Sequence, residues 1–228
     1  MSDRSVIFST FSIVARCPRT GDFGVAVTTA RPAVGAVVPW VSCRGAIASQ
    51  ARTNTNLGRS GIQFLEHGVP VRAALAGLLE GDPDREHRQI HGVDGEGTFA
   101  HTGALCIEWC GHRPADSFSV AGNMLVGPAV LEAMAAAFVA AENQGLPDRL
   151  LRALEAGQKA GGDKRGKQSA ALLVAAADPF PYHNLRVDDH PDPVSELRRL
   201  FDLTVAHTPT LLEQYGEEGL RRYRRPKC

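Results

Sequence analysis

The sequence predicts an α+β fold in which antiparallel sheets pack on one another beneath paired helices. Three observations point there. Strand-like and helix-like stretches are segregated, in the order strands, two helices, strands, two helices, strands, helix. That order disfavours a doubly wound parallel sheet, which needs strands and helices alternating one by one. The first fifty residues read as an antiparallel meander, with short β-type runs separated by turn chemistry. Finally, no internal repeat, low-complexity segment or linker divides the 228 residues, and 43% hydrophobic with 22% charged residues is ordinary globular composition.

Phe8 to Ala15 alternates bulky and small side chains, as a strand with two unequal faces does. Thr20-Gly21-Asp22 supplies a turn, and Phe23 to Thr28 is the returning strand. Gly35 to Trp40 and Gly45 to Ala51 are further β-type runs. Ile62 and Leu65 with the terminating Gly68 mark a short helix, and Pro70 to Leu79 a second one stopped by Gly81. Gln89 to His101 reads as a hairpin around Val93-Asp94-Gly95-Glu96-Gly97, and Ser117 to Leu125 as a strand.

Pro128 opens a helix whose face carries Val130, Leu131, Met134 and Phe138, ending at Gly145. Pro147 to Gln158 repeats the pattern with Leu150, Leu151 and Leu154. Ser169 to Ala176 is a fully apolar strand and Leu185 to Asp188 a shorter one. Asp192-Pro193 caps a helix bearing Val194, Leu197, Leu200 and Phe201, and Thr208-Pro209 signals a new helix start.

Basic and acidic residues balance at 25 each. A general attraction to nucleic acid or to an anionic membrane needs excess positive charge, so neither partner is expected. The basic cluster Arg221, Arg222, Arg224, Arg225 and Lys227 reads as a solvated helix end, with an RNA-binding tail as the other reading. The longest apolar run, Ala170 to Ala177, is too short to cross a bilayer. Met-Ser-Asp-Arg-Ser lacks the pattern of a signal peptide, and the five cysteines follow no disulfide framework, so a reducing cytoplasm is expected.

Several stretches together resemble a known bacterial family. They are Thr10-Phe11-Ser12-Ile13-Val14-Ala15-Arg16, Ala33 to Trp40, Ser49-Gln50-Ala51-Arg52-Thr53-Asn54, Gly122-Asn123-Met124-Leu125, Gly161 to Val174 and Leu185 to Leu200. On these the chain resembles the family catalogued as domain of unknown function 1028, from Thr10 to about Leu203. The resemblance implies a four-layer αββα sandwich like that of the N-terminal-nucleophile hydrolases. It divides the chain into an extension over 1–9, a domain over 10–205, and a C-terminal helix and basic tail over 206–228.

In proteins of that type, a threonine, serine or cysteine at the mature N-terminus attacks an amide carbonyl, and its own α-amine is the base. An α-amine with a pKa of about 7.7–8.0 can do this near neutrality. The matching residue is Thr10, whose nitrogen is bound to Ser9 until residues 1–9 are removed. Relatives often carry a basic residue where Ala30 stands, and Arg31 beside it points to the other face of a strand.

Beside Thr10, the residues themselves offer Asn123 and Asp163 as catalytic candidates. Asn123 would donate its NH₂ to a developing oxyanion, or close a turn on its own backbone. Asp163 would orient proton transfer. Arg165 could bind a substrate carboxylate bidentately, or form an internal ion pair with Asp163. Gln50, Thr53, Asn54, Gln168 and Ser169 complete the expected substrate contacts.

Gly161, Gly166 and Lys167 nearly match a phosphate-binding loop, but Gln168 replaces the required hydroxyl and a strand, not a helix, comes after it. Asp188, Asp189, His190 and Asp192 could suggest a hard metal, but prolines interrupt them. Cys106, Cys110 and His112 lack a completing pair. No metal or cofactor is expected. The expected function is hydrolysis of a small-molecule amide, with a non-catalytic ligand-binding or oligomeric scaffold protein as the alternative. A small-molecule substrate and assembly as a homodimer or higher homo-oligomer are the expected partners.

Overall fold

The structure is a computed structural model that describes residues 7, 8, 10–176 and 182–222. In chain order the elements begin with β1 (Ile7–Phe8), β2 (Thr10–Arg16), β3 (Phe23–Thr29), β4 (Pro39–Ser42), β5 (Gly45–Arg52), α1 (Thr55–Glu66) and α2 (Val71–Glu80). They continue with β6 (Arg88–Asp94), β7 (Thr98–Thr102), β8 (Gly111–Pro114), β9 (Phe118–Asn123), α3 (Ala129–Ala140), α4 (Leu146–Lys159), β10 (Ser169–Ala175), β11 (His183–Val187) and α5 (Pro193–Arg222).

Among the described residues the strands form two antiparallel sheets. One runs β11-β10-β3-β2-β9-β8. In the other, β5 pairs with β6 and β6 with β7, while β1 and β4 both pair with β5. Because β6 takes one edge of β5, β4 and β1 share the opposite edge end to end, at Gly45–Ala48 and at Ala51–Arg52 respectively.

Period-2 alternation sends each strand's side chains to two different cores. Val14, Val25, Val27, Ala46, Ala48, Val93, Ala171 and Leu173 fill the space between the sheets. Ile47 and Ile90 point the other way, against Leu57, Leu65 and Leu75 of α1 and α2. Phe11, Ile13, Val120 and Leu172 point outward from the other sheet, against Leu131, Met134, Phe138, Leu150, Leu154 and Leu197 of α3, α4 and α5. Helices therefore cover the outer face of each sheet.

Local signals explain the boundaries. The Asn54 side chain accepts from Asn56 N–H and caps α1. Asp94 Oδ2, from a different sheet strand, accepts from Val71 N–H at 2.6 Å and satisfies the start of α2. Pro147 occupies the first turn of α4, where its missing N–H costs nothing.

Two expectations need correction. Gly35 to Trp40 is not a continuous β run: Ala33 adopts a left-handed conformation, Val34–Ala36 forms a 3₁₀ turn, and only Pro39 onward is strand. Thr208-Pro209 does not begin a helix. The helix from Pro193 runs through it, because Thr208 Oγ1 donates back to the Thr204 carbonyl at 3.0 Å instead of capping a new first turn. The break comes later, at Gly216 with φ 66°.

Candidate functional site

Thr10 opens β2 directly opposite Thr29 of β3 and Asn123 of β9. Alternation from Val14 and Val27 puts Thr10 and Thr29 on the inter-sheet side. The same logic carries Asn123 and Ser169 there, and from the facing sheet Gln50, Gln89 and His91. The layer between the sheets is thus apolar at one end and polar at the other, where Thr10 sits.

All of these residues are buried, Asn123 at 1% exposure and Thr10 at none. Gln89 joins them. Its Oε1 accepts from Gln50 Nε2 at 2.8 Å and from Asn123 Nδ2 at 3.0 Å. Its Nε2 lies 2.9 Å from the Gly122 carbonyl, 3.0 Å from that of Gly111 and 2.9 Å from Thr102 Oγ1. Gln50 Oε1 in turn accepts from Ser12 Oγ at 2.7 Å. With its proton committed there, Ser12 accepts from His91 Nε2, 2.8 Å away. Burial, with a smaller contribution from nearby His112, pushes the His91 pKa down to about 3, so the ring is neutral.

Thr10 Oγ1 is buried and has no hydrogen-bond partner among the described residues, a state it shares with Ser119 Oγ and His91 Nδ1 on the same inter-sheet faces. Buried polar atoms are rarely left so, and a catalytic role is one of the few reasons for it.

Asp163 closes the same end of the sheet. It bridges to Leu125, two residues past Asn123. Its Oδ2 accepts from the backbone N–H of Ala30, next to Thr29, at 3.2 Å, and its Oδ1 from Arg165 N–H at 2.9 Å. The Arg165 guanidinium pairs with the Asp163 carboxylate at 3.1 Å. Gly162 makes the turn possible: at φ 58° it approaches Phe11 and Gln158 so closely that a Cβ would collide with them. Arg31 is exposed and contributes its carbonyl, which accepts from Ser169 Oγ at 2.5 Å.

Thr10, Asn123 and Asp163 are therefore brought to one end of one sheet, with Gln50 facing them and Arg165 bound to Asp163. The other expected contacts are used differently. Asn54 caps α1 and donates through Nδ2 to Asp82 at 3.2 Å. The Thr53 hydroxyl lies 3.5 Å from the Ala51 carbonyl. Gln168 Nε2 donates to Asp189 at 3.1 Å, and Ser169 Oγ, besides donating to Arg31, accepts from Val34 N–H at 3.1 Å. Gln89, Ser12 and His91 escaped sequence reasoning. Their only signal was alternation, Gln89 and His91 with Ile90 and Gly92 in β6 and Ser12 with Phe11 and Ile13 in β2, on faces that turned out to be the inner ones.

A cavity of about 40 Å³ opens beside Asn123, lined by Ala51, Arg52, His87, Leu105, Cys106 and Ile107. The loop over it is stitched to the site by Met124 N–H to the Ile107 carbonyl and Leu125 N–H to that of Trp109, at 3.0 and 2.9 Å. Burial, with a smaller effect of Cys110, raises the Cys106 thiol to about 11, which removes it as a nucleophile. Two non-glycine residues at the site have positive φ, Ala51 at 67° and Met124 at 53°; such conformations gather at functional sites. Wider depressions, of about 290 Å³ near Arg16 and Asp94 and about 750 Å³ between β8 and α3, do not include Thr10 among their lining residues.

Among the described residues no group of three or more His, Cys, Asp or Glu side chains could hold a metal ion. Asp188 is paired with Arg186 and Asp192 with Lys167. No described helix is long and apolar enough to cross a membrane.

No curated protein matches the chain. Among solved structures, the crystal structure of protein SPO2555 from Silicibacter pomeroyi is similar at a TM-score of 0.79 and 36% identity, covering 88% of this chain and 90% of that one. It is described as a DUF1028 protein. The model of that family, a family of unknown function, matches residues 10–197, beginning at the threonine whose hydroxyl lacks a partner. The chain belongs to the DUF1028 family.

Proposed function

We propose that this protein is an amide hydrolase of the N-terminal-nucleophile type, acting on a small molecule or short peptide through Thr10 once residues 1–9 are removed. The supporting observation is the unpartnered, buried Thr10 hydroxyl facing the polar end of the inter-sheet layer beside Asn123. Two facing antiparallel sheets with helices on their outer faces suit an αββα sandwich of that hydrolase type.

In this reading, cleavage of the Ser9–Thr10 bond frees the Thr10 amine. Thr10 Oγ1 attacks the substrate carbonyl carbon while the amine takes the hydroxyl proton. The carbonyl electron pair moves to oxygen, and Asn123 Nδ2 supplies one donor to that oxyanion. Collapse breaks the C–N bond, and the departing amine takes the proton from the Thr10 ammonium. A water then attacks the ester, gives a proton to the same amine and releases the acid, restoring the hydroxyl. The Asp163 carboxylate holds the Ala30 N–H, Lys164 N–H donates to the Met124 carbonyl, and Arg165 pairs with Asp163.

The test is intact mass and N-terminal sequencing of protein from its native host, followed by assay against small amides. A chain beginning at Thr10, active as such and inactive as Thr10→Ala, is expected. A full-length chain whose activity survives Thr10→Ala overturns the reading.

A non-catalytic ligand-binding or scaffold protein is the second reading. The complete burial of Thr10 favours it. It predicts no host-derived species beginning at Thr10.

A further inference from the structure

The edge of β5 carries two strands end to end. β4 pairs along Gly45–Ala48, and β1 pairs with Ala51 and Arg52 alone, Phe8 opposite Ala51 and Ile7 opposite Arg52. Once β1 leaves, those two residues become an open strand edge, a ready template for another extended chain. This short stretch also borders the 40 Å³ cavity that reaches Asn123, and Ala51 holds its φ of 67° there.

We infer that the Ala51–Arg52 edge of β5 is the docking strand for the acyl half of an extended, peptide-like substrate, which adds to the sheet in the place β1 now occupies. This rests on the hydrolase reading of Thr10. Ile7 and Phe8, on the acyl side of the Ser9–Thr10 bond, pair with β5 two residues before the nucleophile. The acyl group of a substrate is likewise joined to Thr10, through Oγ1 in the ester, so its chain approaches along the same edge. Main-chain hydrogen bonds supply the grip in such strand addition, and side-chain pockets the selectivity. The exposed Leu105 and Ile107 on the cavity's rim make an apolar residue the one it prefers.

The experiment reads binding, with a fluorescent capped pentapeptide of the sequence Ser5-Val6-Ile7-Phe8-Ser9 as the probe. It is titrated into the full chain and into the full chain carrying Ile7→Pro and Phe8→Pro, which cannot donate from either β1 position. The released variant is expected to bind at least ~tenfold more tightly, because in the parent the tethered strand competes at an effective concentration in the millimolar range. A probe N-methylated at Ile7 and Phe8 is expected to lose that binding. Equal binding by parent and released variant, or by methylated and unmethylated probe, overturns the inference. Should the proline pair disturb the fold, as read by near-UV circular dichroism, Ile7→Gly with Phe8→Gly loosens β1 without removing a donor, and the methylated probe keeps the outcome decisive. Probe binding is read without turnover and apart from any amidase assay. Loss of probe binding thus leaves the Thr10 chemistry standing, and absence of amidase activity leaves the edge site standing.

Discussion

Thr10 carries a hydroxyl into a fully buried position without giving it a partner among the described residues. Such a group costs about 1–3 kcal/mol in native stability. Thr10→Val keeps the shape and removes the orphan, so it is expected to stabilise the chain by about 1 kcal/mol, read as a higher urea midpoint at unchanged slope. The same substitution is expected to abolish amide hydrolysis, and a gain in stability with a loss of activity is what a residue kept for chemistry gives. Asn123→Ala separates positioning from nucleophilicity. It is expected to lower kcat by on the order of 10²-fold, with a stability cost of about 1–2 kcal/mol for the lost bond to Gln89.

His91 makes the acid side of the stability profile predictable. Its pKa is about 3 in the fold against an ordinary 6.5, so the unfolded chain binds the proton more readily. Its contribution is complete above pH 6.5 and declines toward about pH 3, by up to ~1.4 kcal/mol per pH unit. His91→Gln, which can still reach Ser12, is expected to flatten that slope in urea titrations run from pH 7 to 4.

At the level of elements, tight packing of α1 on its sheet turns on Gly58, over which the Trp40 indole lies directly. A methyl there has nowhere to go but into the ring. Gly58→Ala is expected to destabilise by about 1–3 kcal/mol and to shift the Trp40 emission. The long strands and the helices up to α4 were legible because their apolar periodicities are strong and their caps local. β1 and β8 were not read from the sequence as separate strands. Two and four residues carry too little alternation, and Gly111-His112-Arg113-Pro114 lies at a sheet edge with mostly exposed side chains. Gly35 to Trp40 misled because apolar content says that a segment is buried, not that it is extended. Thr208-Pro209 misled because a threonine before a proline can cap forward or bond backward, and here it bonds backward.

For the whole molecule, the candidate site was legible only through family resemblance. Thr10, Asn123 and Asp163 are separated by more than a hundred residues, or by a helical pair, and no local pattern announces that β2 lies between β3 and β9. The network around Gln89 was invisible for a related reason: an alternating strand says which residues share a face, but not whether the polar face turns inward. That inward polarity gives the sandwich a direction. At one end the sheets are held by valine against valine; at the other by a handful of amides and hydroxyls that water can replace almost one for one. Separation of the layers should therefore begin at the Thr10 end and travel toward Val25, like a book opened from its fore-edge. Amide exchange is expected to show it, with Gln50 and Gln89 exchanging at lower opening free energy than Val25 and Val27. A site built at the looser margin of a stiff stack can admit a guest while the spine stays shut.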